Sequence, residues 1–226
     1  MNKIFTTVAV SIMSATACYS LPLLAADTVE KVKSENQAIT ISQDKQRLIE
    51  KLALISQFSA DFNQQVIAED GTNLKPSSGT LAVKKPNLVF WQTQSPDETT
   101  IVSDGDTLWF YDPFVEQATA YSVNDSIANT PILLLTSTDM SQWQNYQVSQ
   151  TSSDSFAITS LLPDSRITSL DLTFTPNRAK LSSFAFTDAT GQKSVITLSN
   201  FDSKTSIPAS QFVFTVPEGI DVDDQR

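Results

Sequence analysis

The sequence contains no histidine and a single cysteine, Cys18. Histidine is the commonest acid–base group near neutral pH and a frequent zinc ligand, so its absence excludes the usual catalytic triads and most zinc centres. One cysteine cannot form an intramolecular disulfide, a zinc knuckle or an iron–sulfur cluster. Basic residues are also scarce, 15 against 25 acidic residues for a net charge of −10, which argues against recognition of nucleic acid through its phosphates.

The chain nevertheless has the material for a hydrophobic core. Its 226 residues are 40% hydrophobic and include 13 Phe, while 5 Gly and 10 Pro are too few for a low-complexity sequence. After the N-terminus no apolar stretch is long enough to span a bilayer. Neither a repeat nor a shift in composition divides the chain. We therefore expect one folded domain over residues 27–226.

The first 26 residues have the pattern of an export signal. A single basic residue precedes an apolar stretch over residues 4–17, and Leu-Ala-Ala follows at residues 24–26, before Asp27. The prediction is a signal peptide over residues 1–26 and an exported chain that begins at Asp27. The sequence Ala-Thr-Ala before Cys18 offers an alternative, because it resembles a bacterial lipobox in which this cysteine would be acylated.

The apolar residues first follow a helical period and then a strand period. Leu48, Leu52 and Ile55 recur at three- to four-residue spacing, which predicts a helix that begins near Asp44. From Phe58 onward alternate residues are apolar, so the helix is expected to lead almost directly into a strand. Further strands are predicted over residues 80–83, 87–93, 99–103, 107–112, 116–123, 146–150, 155–160, 167–175, 181–187, 194–200 and 211–215. About eleven short strands fit one strongly curved antiparallel sheet.

Residues 125–138 interrupt this series of strands and are predicted to be helical. Thr130 and Pro131 suit an N-cap followed by proline in the first turn, and four large aliphatic residues follow, from Ile132 to Leu135. Four such side chains cover most of the circumference of a helix, whereas a surface helix needs one apolar stripe. The segment is therefore expected to contact apolar groups on several sides or to cover a cavity.

Acidic residues are the remaining candidates for catalysis or metal binding, and their spacing suits neither. Asp104 and Asp106 flank Gly105 as in a hairpin turn rather than a calcium loop. Asp97 and Glu98 are adjacent, so in a strand they would point to opposite faces. The acids of residues 221–224 are typical of a solvated tail. No nucleophile elbow, P-loop or dinucleotide motif occurs, so we expect no enzymatic activity, no metal site and no cofactor.

Large apolar residues alternate along the later strands. Leu170, Leu172 and Phe174 do so in one strand, and Phe184 and Phe186 do so in the next. This alternation predicts that one face of the sheet is apolar. A curved sheet of this size either fills its interior with side chains or encloses a space for an apolar ligand, and the period alone leaves both possibilities open.

Several motifs together resemble the LolA family of outer-membrane lipoprotein carrier proteins. They are residues 83–91, 96–98, 103–105, 107–119, 129–131, Trp143, Tyr146, 212–214, Pro217, Gly219 and 221–226. The likeness runs in order through nearly the whole exported chain. It implies a mainly β (α+β) fold: an incomplete, strongly curved antiparallel β-barrel with helices that form a lid over an apolar cavity.

The resemblance also implies a function. The expected protein is a periplasmic chaperone that binds the acyl chains of lipoproteins released by an inner-membrane ABC-type complex and delivers them to an outer-membrane lipoprotein receptor. We expect it to be a monomer that binds no nucleic acid. Two alternatives stay open: a lipid-anchored receptor of the same fold, if Cys18 is acylated, and a carrier for another amphiphilic lipid. A carboxylate-based hydrolase ranks last.

The same resemblance assigns roles to individual residues. The apolar cavity is expected to be lined by Trp91, Phe110, Leu133, Leu134, Phe174, Phe184, Phe186 and Phe214. The lid and its latch are expected at Lys85, Pro131, Ile132 and Leu135. The family commonly has arginine where this chain has Lys85, and lysine lacks the planar guanidinium, so a weaker latch is expected. Val89 replaces a phenylalanine that is often found in the family, so the partner contact there is expected to differ.

Overall fold

The computed structural model describes residues 41–226. The predicted signal peptide, its cleavage site and Cys18 lie outside the described residues. The helices are α1 (Gln43–Ala53), α2 (Val123–Ser126) and α3 (Pro131–Thr136), with 3₁₀ turns at Ile127–Asn129, Met140–Asn145 and Ala209–Phe212. The strands are β1 (Gln57–Ile67), β2 (Ser77–Lys84), β3 (Leu88–Ser95), β4 (Thr99–Asp104), β5 (Thr107–Asp112), β6 (Gln117–Ser122), β7 (Tyr146–Ser152), β8 (Ser155–Ser160), β9 (Ile167–Phe174), β10 (Leu181–Asp188), β11 (Lys193–Asp202) and β12 (Asp221–Gln225).

Helix α1 forms where the sequence predicts it. The Ser42 side chain caps its N-terminus by accepting from the backbone N–H of Lys45 at 3.3 Å. Leu48 and Leu52 are buried on one side of the helix. The helix packs beside β7, where the Asp44 carboxylate accepts from the backbone N–H of Gln150 at 3.0 Å. Helix α1 thereby covers part of one edge of the sheet.

All twelve strands belong to one sheet, in the order β12-β6-β5-β4-β3-β2-β1-β11-β10-β9-β8-β7. Every neighbouring pair is antiparallel except β12 and β6, which are parallel. Within residues 41–226 no ladder joins the edge strands β7 and β12, so the barrel is incomplete. The predicted architecture is confirmed, with one parallel pair added at the edge.

Contacts between side chains show how strongly the sheet bends. Trp91 on β3 and Phe184 on β10 have ring centroids 6.1 Å apart, although four strand-to-strand steps separate their strands in the sheet. Across a flat sheet, four steps of about 4.8 Å would hold these strands roughly 19 Å apart. Strand β1, which carries Phe62, lies between these two strands, and the ring centroids of Phe62 and Trp91 are 4.2 Å apart. The sheet therefore curves around its own apolar side chains.

The curvature gives the sheet an inner and an outer face with separate apolar clusters. The inner cluster joins α1, the inner side chains of the strands and the α3 helix. The outer cluster is small and consists of Ala82, Ile207 and Phe212, with Leu88 and Phe90 packed against it. Alternate residues of one strand separate accordingly, since Val89 lies in the inner cluster and Phe90 against the outer one.

Three predicted elements differ from the structure. The helix expected over residues 125–138 is broken into α2, a 3₁₀ turn and α3. The strand expected over residues 211–215 is wrong, because Ala209–Phe212 is a 3₁₀ turn and the chain then runs outside the sheet. The acidic residues expected in a solvated tail form β12, whose backbone pairs with β6 from Asp221↔Gln117 to Gln225↔Tyr121.

Candidate lipid site on the inner face

The α3 helix is short, apolar and buried. Thr130 precedes it, Pro131 occupies its first turn, and every residue from Ile132 to Thr136 is buried. Leu133 has no exposed surface. A helix with apolar side chains on all sides needs apolar neighbours on all sides. The inner cluster, which includes residues of α1 and of the turn before α3 as well as the strands, supplies them. We call α3 the lid helix because it lies over the inner face of the sheet.

Aromatic side chains form the apolar surface within the inner cluster. The rings of Phe62, Trp91 and Phe184 form a continuous cluster, in which Phe62 is tilted against Trp91 and Phe184 meets Trp91 edge-on. Phe174 packs edge-on against Phe156, with ring centroids 6.1 Å apart. Phe186 is half-buried and packs against the same cluster. Six of the predicted cavity residues thus lie in one cluster: Trp91, Leu133, Leu134, Phe174, Phe184 and Phe186.

Phe110 and Phe214 lie elsewhere. Phe110 pairs with Ile101 on the inner face but is 40% exposed, beyond the packed cluster. Phe214 contacts Trp109 and Tyr111, at ring-centroid distances of 5.3 and 5.5 Å. Those two residues alternate with Phe110 along β5 and so point to the outer face. The expectation that Phe214 lines the inner cavity is therefore wrong, because its segment leaves the sheet and packs against the outside.

One central residue of the cluster is not among the predicted cavity residues. Phe62 is 1% exposed and its ring packs at a tilt against Trp91. Its signal was present in the alternation of Phe58, Ala60 and Phe62 along the first strand. Leu81, which pairs with both Ala60 and Trp91 across the neighbouring strands, is equally buried. These residues form the floor of the inner face where the sheet bends most.

Few hydrogen bonds join the lid helix and the neighbouring β2–β3 turn to the elements around them. The backbone N–H of Asn87, in the turn between β2 and β3, donates to the carbonyl of Thr136 at 3.4 Å. The ammonium of Lys85, in the same turn, donates to the carbonyl of Leu52 at 2.7 Å. Burial lowers the pKa of Lys85 from its usual value. The lysine thus ties the turn to the end of α1, and the bond to the lid helix itself comes from Asn87.

Two larger spaces lie beside the lid helix. One, of about 280 Å³, lies between α1 and the segment after the lid helix and is lined by Leu52, Lys85, Leu135 and Trp143 among others. The other, of about 460 Å³, lies at the opposite side, between β4–β6 and the 3₁₀ turn that precedes the lid helix. The second volume falls within the range of small-molecule sites. The inner face is therefore packed beneath the lid helix and open beside it.

No three acidic or cysteine side chains of residues 41–226 gather as a metal site. Asp97 and Glu98 are both exposed in the loop between β3 and β4. None of the helices in this part of the chain combines the length and apolar character that a membrane span requires.

Comparison with known proteins identifies the family. The family described as "Outer membrane lipoprotein carrier protein LolA" matches residues 53–215. The chain belongs to the LolA family. The outer-membrane lipoprotein carrier protein of Aeromonas salmonicida is 42% identical over 179 residues, which cover 79% of this chain and 88% of that protein. Proteins of the same name from Pectobacterium carotovorum and Haemophilus influenzae are 40% and 43% identical over 176 residues, 78% of this chain and 85% and 84% of theirs.

Proposed function

We propose that this protein is a periplasmic chaperone that binds the acyl chains of lipoproteins released from the inner membrane and delivers them to an outer-membrane receptor. The observation that carries the proposal is the lid helix: four large aliphatic side chains, all buried, cover an aromatic inner face. Membership of the LolA family and the names of the relatives support the same role. An inner-membrane ABC-type complex is the proposed donor, and the working form is a monomer.

The free energies of burying an acyl chain and the lid side chains explain why such a carrier needs a displaceable apolar surface. Each buried methylene contributes about 0.8 kcal/mol, so a 16-carbon chain with ~15 methylenes favours an apolar environment over water by roughly 12 kcal/mol. A lipoprotein carries more than one such chain, and free diffusion through water is therefore negligible. The buried side chains of the lid helix contribute about 1.5–3 kcal/mol each, or about 6–12 kcal/mol together. One acyl chain that enters from water is thus energetically sufficient to displace the lid.

We assign the acyl site to the inner face beneath the lid helix. Trp91, Phe184 and Phe186 form its sheet side, and Phe174 extends it towards α1. Leu133 and Leu134 fill this site when the carrier is empty and border it when acyl chains enter. Pro131, Ile132 and Leu135 belong to the same lid, and Lys85 fastens the neighbouring turn to α1. No catalytic step is assigned to any of these residues.

The principal alternative is a lipid-anchored receptor of the same fold. It depends on the lipobox-like sequence before Cys18. Mass spectrometry of the protein purified from its native cells separates the two. A chain that begins at Asp27 supports the carrier, whereas a chain that begins at an acylated Cys18 supports the receptor. A carrier for another amphiphilic lipid is tested on the same sample, because lipid extraction would then recover that lipid instead of a lipoprotein.

The proposed function is tested by release of a purified lipoprotein from inner-membrane vesicles with and without the exported chain. The expected result is release that requires the protein and ATP, and transfer to receptor-containing vesicles. Leu134→Glu and Phe186→Glu should abolish release and strongly weaken binding of a fluorescent 16-carbon acyl probe. Phe114→Glu is the matched control, since this side chain is 90% exposed. Folded variants with unchanged acyl binding would contradict the assignment of the site.

A further inference from the structure

Part of the inner face is exposed even though the lid helix is in place. Phe110 on β5 and Tyr121 on β6 are 40% and 38% exposed. Leu108 pairs with Tyr121 across these two strands, so both strands present apolar side chains to the same side. With Ile101 of β4, these residues form one wall of the 460 Å³ cavity. This wall is apolar, concave and free of the lid.

The opposite wall of this cavity is polar. It consists of Asp125, Ser126, Asn129 and Thr130, which precede the lid helix, together with Arg166. Gln225 adds a polar side chain on the sheet side, beside Tyr121, with which it pairs across β12 and β6. The Asn129 side-chain oxygen accepts from the backbone N–H of Arg166 at 3.1 Å, which leaves its amide N–H groups as donors. Within residues 41–226 the Arg166 guanidinium has no ion-pair partner. The cavity thus combines an apolar wall with two sets of unused N–H donors.

The charged side chains that line the cavity limit the chemical class of its ligand. Asp125 and Arg166 both line the cavity without forming an ion pair with each other. One negative and one positive side chain leave the rim with no net charge, and a free carboxylate or phosphate bound there would face Asp125. An ester or amide carbonyl carries no net charge and accepts hydrogen bonds from arginine and asparagine. The rim therefore suits an uncharged head with carbonyl oxygens.

We propose that this cavity is a separate docking site for one acyl chain linked through an uncharged ester or amide, occupied before the lid opens. The chain lies against Phe110 and Tyr121, and its carbonyl accepts hydrogen bonds from Arg166 and Asn129. The inference rests on the proposed carrier function, because acylated lipoproteins carry their chains through ester and amide bonds. The inference adds an order of events to that function. The first acyl chain binds beside the closed lid, and the other chains then displace the lid helix.

The position of the cavity supports this order. Asn129 and Thr130 line it and come directly before Pro131, the first residue of the lid helix. A ligand bound to Asn129 therefore contacts the segment on which the lid helix must move. The cavity needs no movement to accept a chain, whereas the site beneath the lid helix is filled by leucine side chains.

The test uses the exported chain with its lid locked. Asn87 and Thr136 are joined by a backbone hydrogen bond, so Asn87→Cys with Thr136→Cys is the pair chosen for a disulfide lock, and mass spectrometry of the oxidised protein verifies the bond before binding is measured. The probe is octanoylglycerol, an uncharged ester, and octanoate is the charged comparison. Binding is read from the ring signals of Phe110 and Tyr121 by NMR. The expected result is equal octanoylglycerol affinity in the oxidised and reduced protein, with weaker binding of octanoate.

Rim variants complete the test. Arg166→Ala and Asn129→Ala should each weaken octanoylglycerol binding by about 2- to 10-fold, the usual effect of one lost hydrogen bond. Arg178→Ala, another arginine variant outside the cavity, should leave it unchanged. Loss of binding on oxidation, or equal affinity of the Arg166 variant, overturns the proposal. Failure of the carrier function is distinguishable, because the reduced protein would then bind octanoylglycerol yet release no lipoprotein from vesicles.

Discussion

Leu133→Ala provides the sharpest test of competition between the lid helix and the acyl chains. Leu133 has no exposed surface and lies in the inner cluster of the empty protein. Removing a buried leucine side chain costs about 2–5 kcal/mol, since the transfer energy is lost and a cavity remains. In the loaded protein the lid is displaced, and the same substitution costs less there. Truncation should therefore destabilise the empty state and strengthen acyl binding.

The expected gain in affinity follows from the difference between the two states. If the displaced leucine keeps no contacts, a loss of about 3 kcal/mol in the empty state strengthens acyl binding roughly 150-fold. If it keeps half of its contacts with the acyl chains, the gain is about 10-fold. Urea denaturation of the empty protein gives the loss in free energy of unfolding. Titration with a fluorescent 16-carbon acyl ester gives the affinity.

Phe212→Leu is the matched control for this prediction. Phe212 is 1% exposed but lies in the outer cluster with Ala82 and Ile207. Its truncation should lower the free energy of unfolding in both states and leave acyl affinity unchanged. Weaker acyl binding by the Leu133→Ala protein, at a confirmed loss of stability, would refute the competition between the lid helix and the ligand.

Three further predictions concern the latch, the acid stability and the sheet. Lys85→Met should remove the bond to Leu52 and speed hydrogen exchange at the end of α1, while Lys85→Arg should restore protection. The pKa of Asp154 lies below its usual value, chiefly because Lys51 donates a hydrogen bond to it. The ionised carboxylate therefore stabilises the folded state fully above about pH 4, and this stabilisation is lost as the pH falls through the lowered pKa. Asp154→Asn should make the free energy of unfolding less dependent on pH over that acid range. Gly79→Ala should prevent stable folding, as circular dichroism would show, because the new Cβ would clash with the Gln92 carbonyl and the ring of Phe62.

Most of the sheet was predictable because alternation, turn residues and strand length agree along the chain. The predicted strands over residues 107–112 and 155–160 match the bounds of β5 and β8. The inner cluster was predictable to the extent that its residues alternate within these strands. Phe184 and Phe186 are the plainest case, since both lie on the inner side of β10.

The failures occur where tertiary contacts outweigh local preference. Aspartate disfavours strands, yet β12 forms because β6 offers a free backbone edge. The guanidinium of Arg226 then pairs with Asp224 at 2.6 Å, and this arginine lowers the pKa of Asp224 to about 2. The sequence of residues 221–225 alone does not predict that β6 has a free edge. The position of Phe214 was likewise unpredictable, since alternation assigns a face only to a residue that stays in the sheet.

The brevity of the lid helix has a thermodynamic consequence for transfer from a membrane. An acyl chain that leaves a bilayer for the inner face exchanges one apolar environment for another, so the main cost is the displaced lid, about 6–12 kcal/mol of burial. A helix of six residues has little stability of its own, so we expect the displaced segment to unfold. Unfolding returns about 1–2 kcal/mol of backbone entropy per residue, or about 6–12 kcal/mol in total. The two terms nearly cancel, and the chain can pass from donor to carrier and on to a receptor without a deep minimum in between.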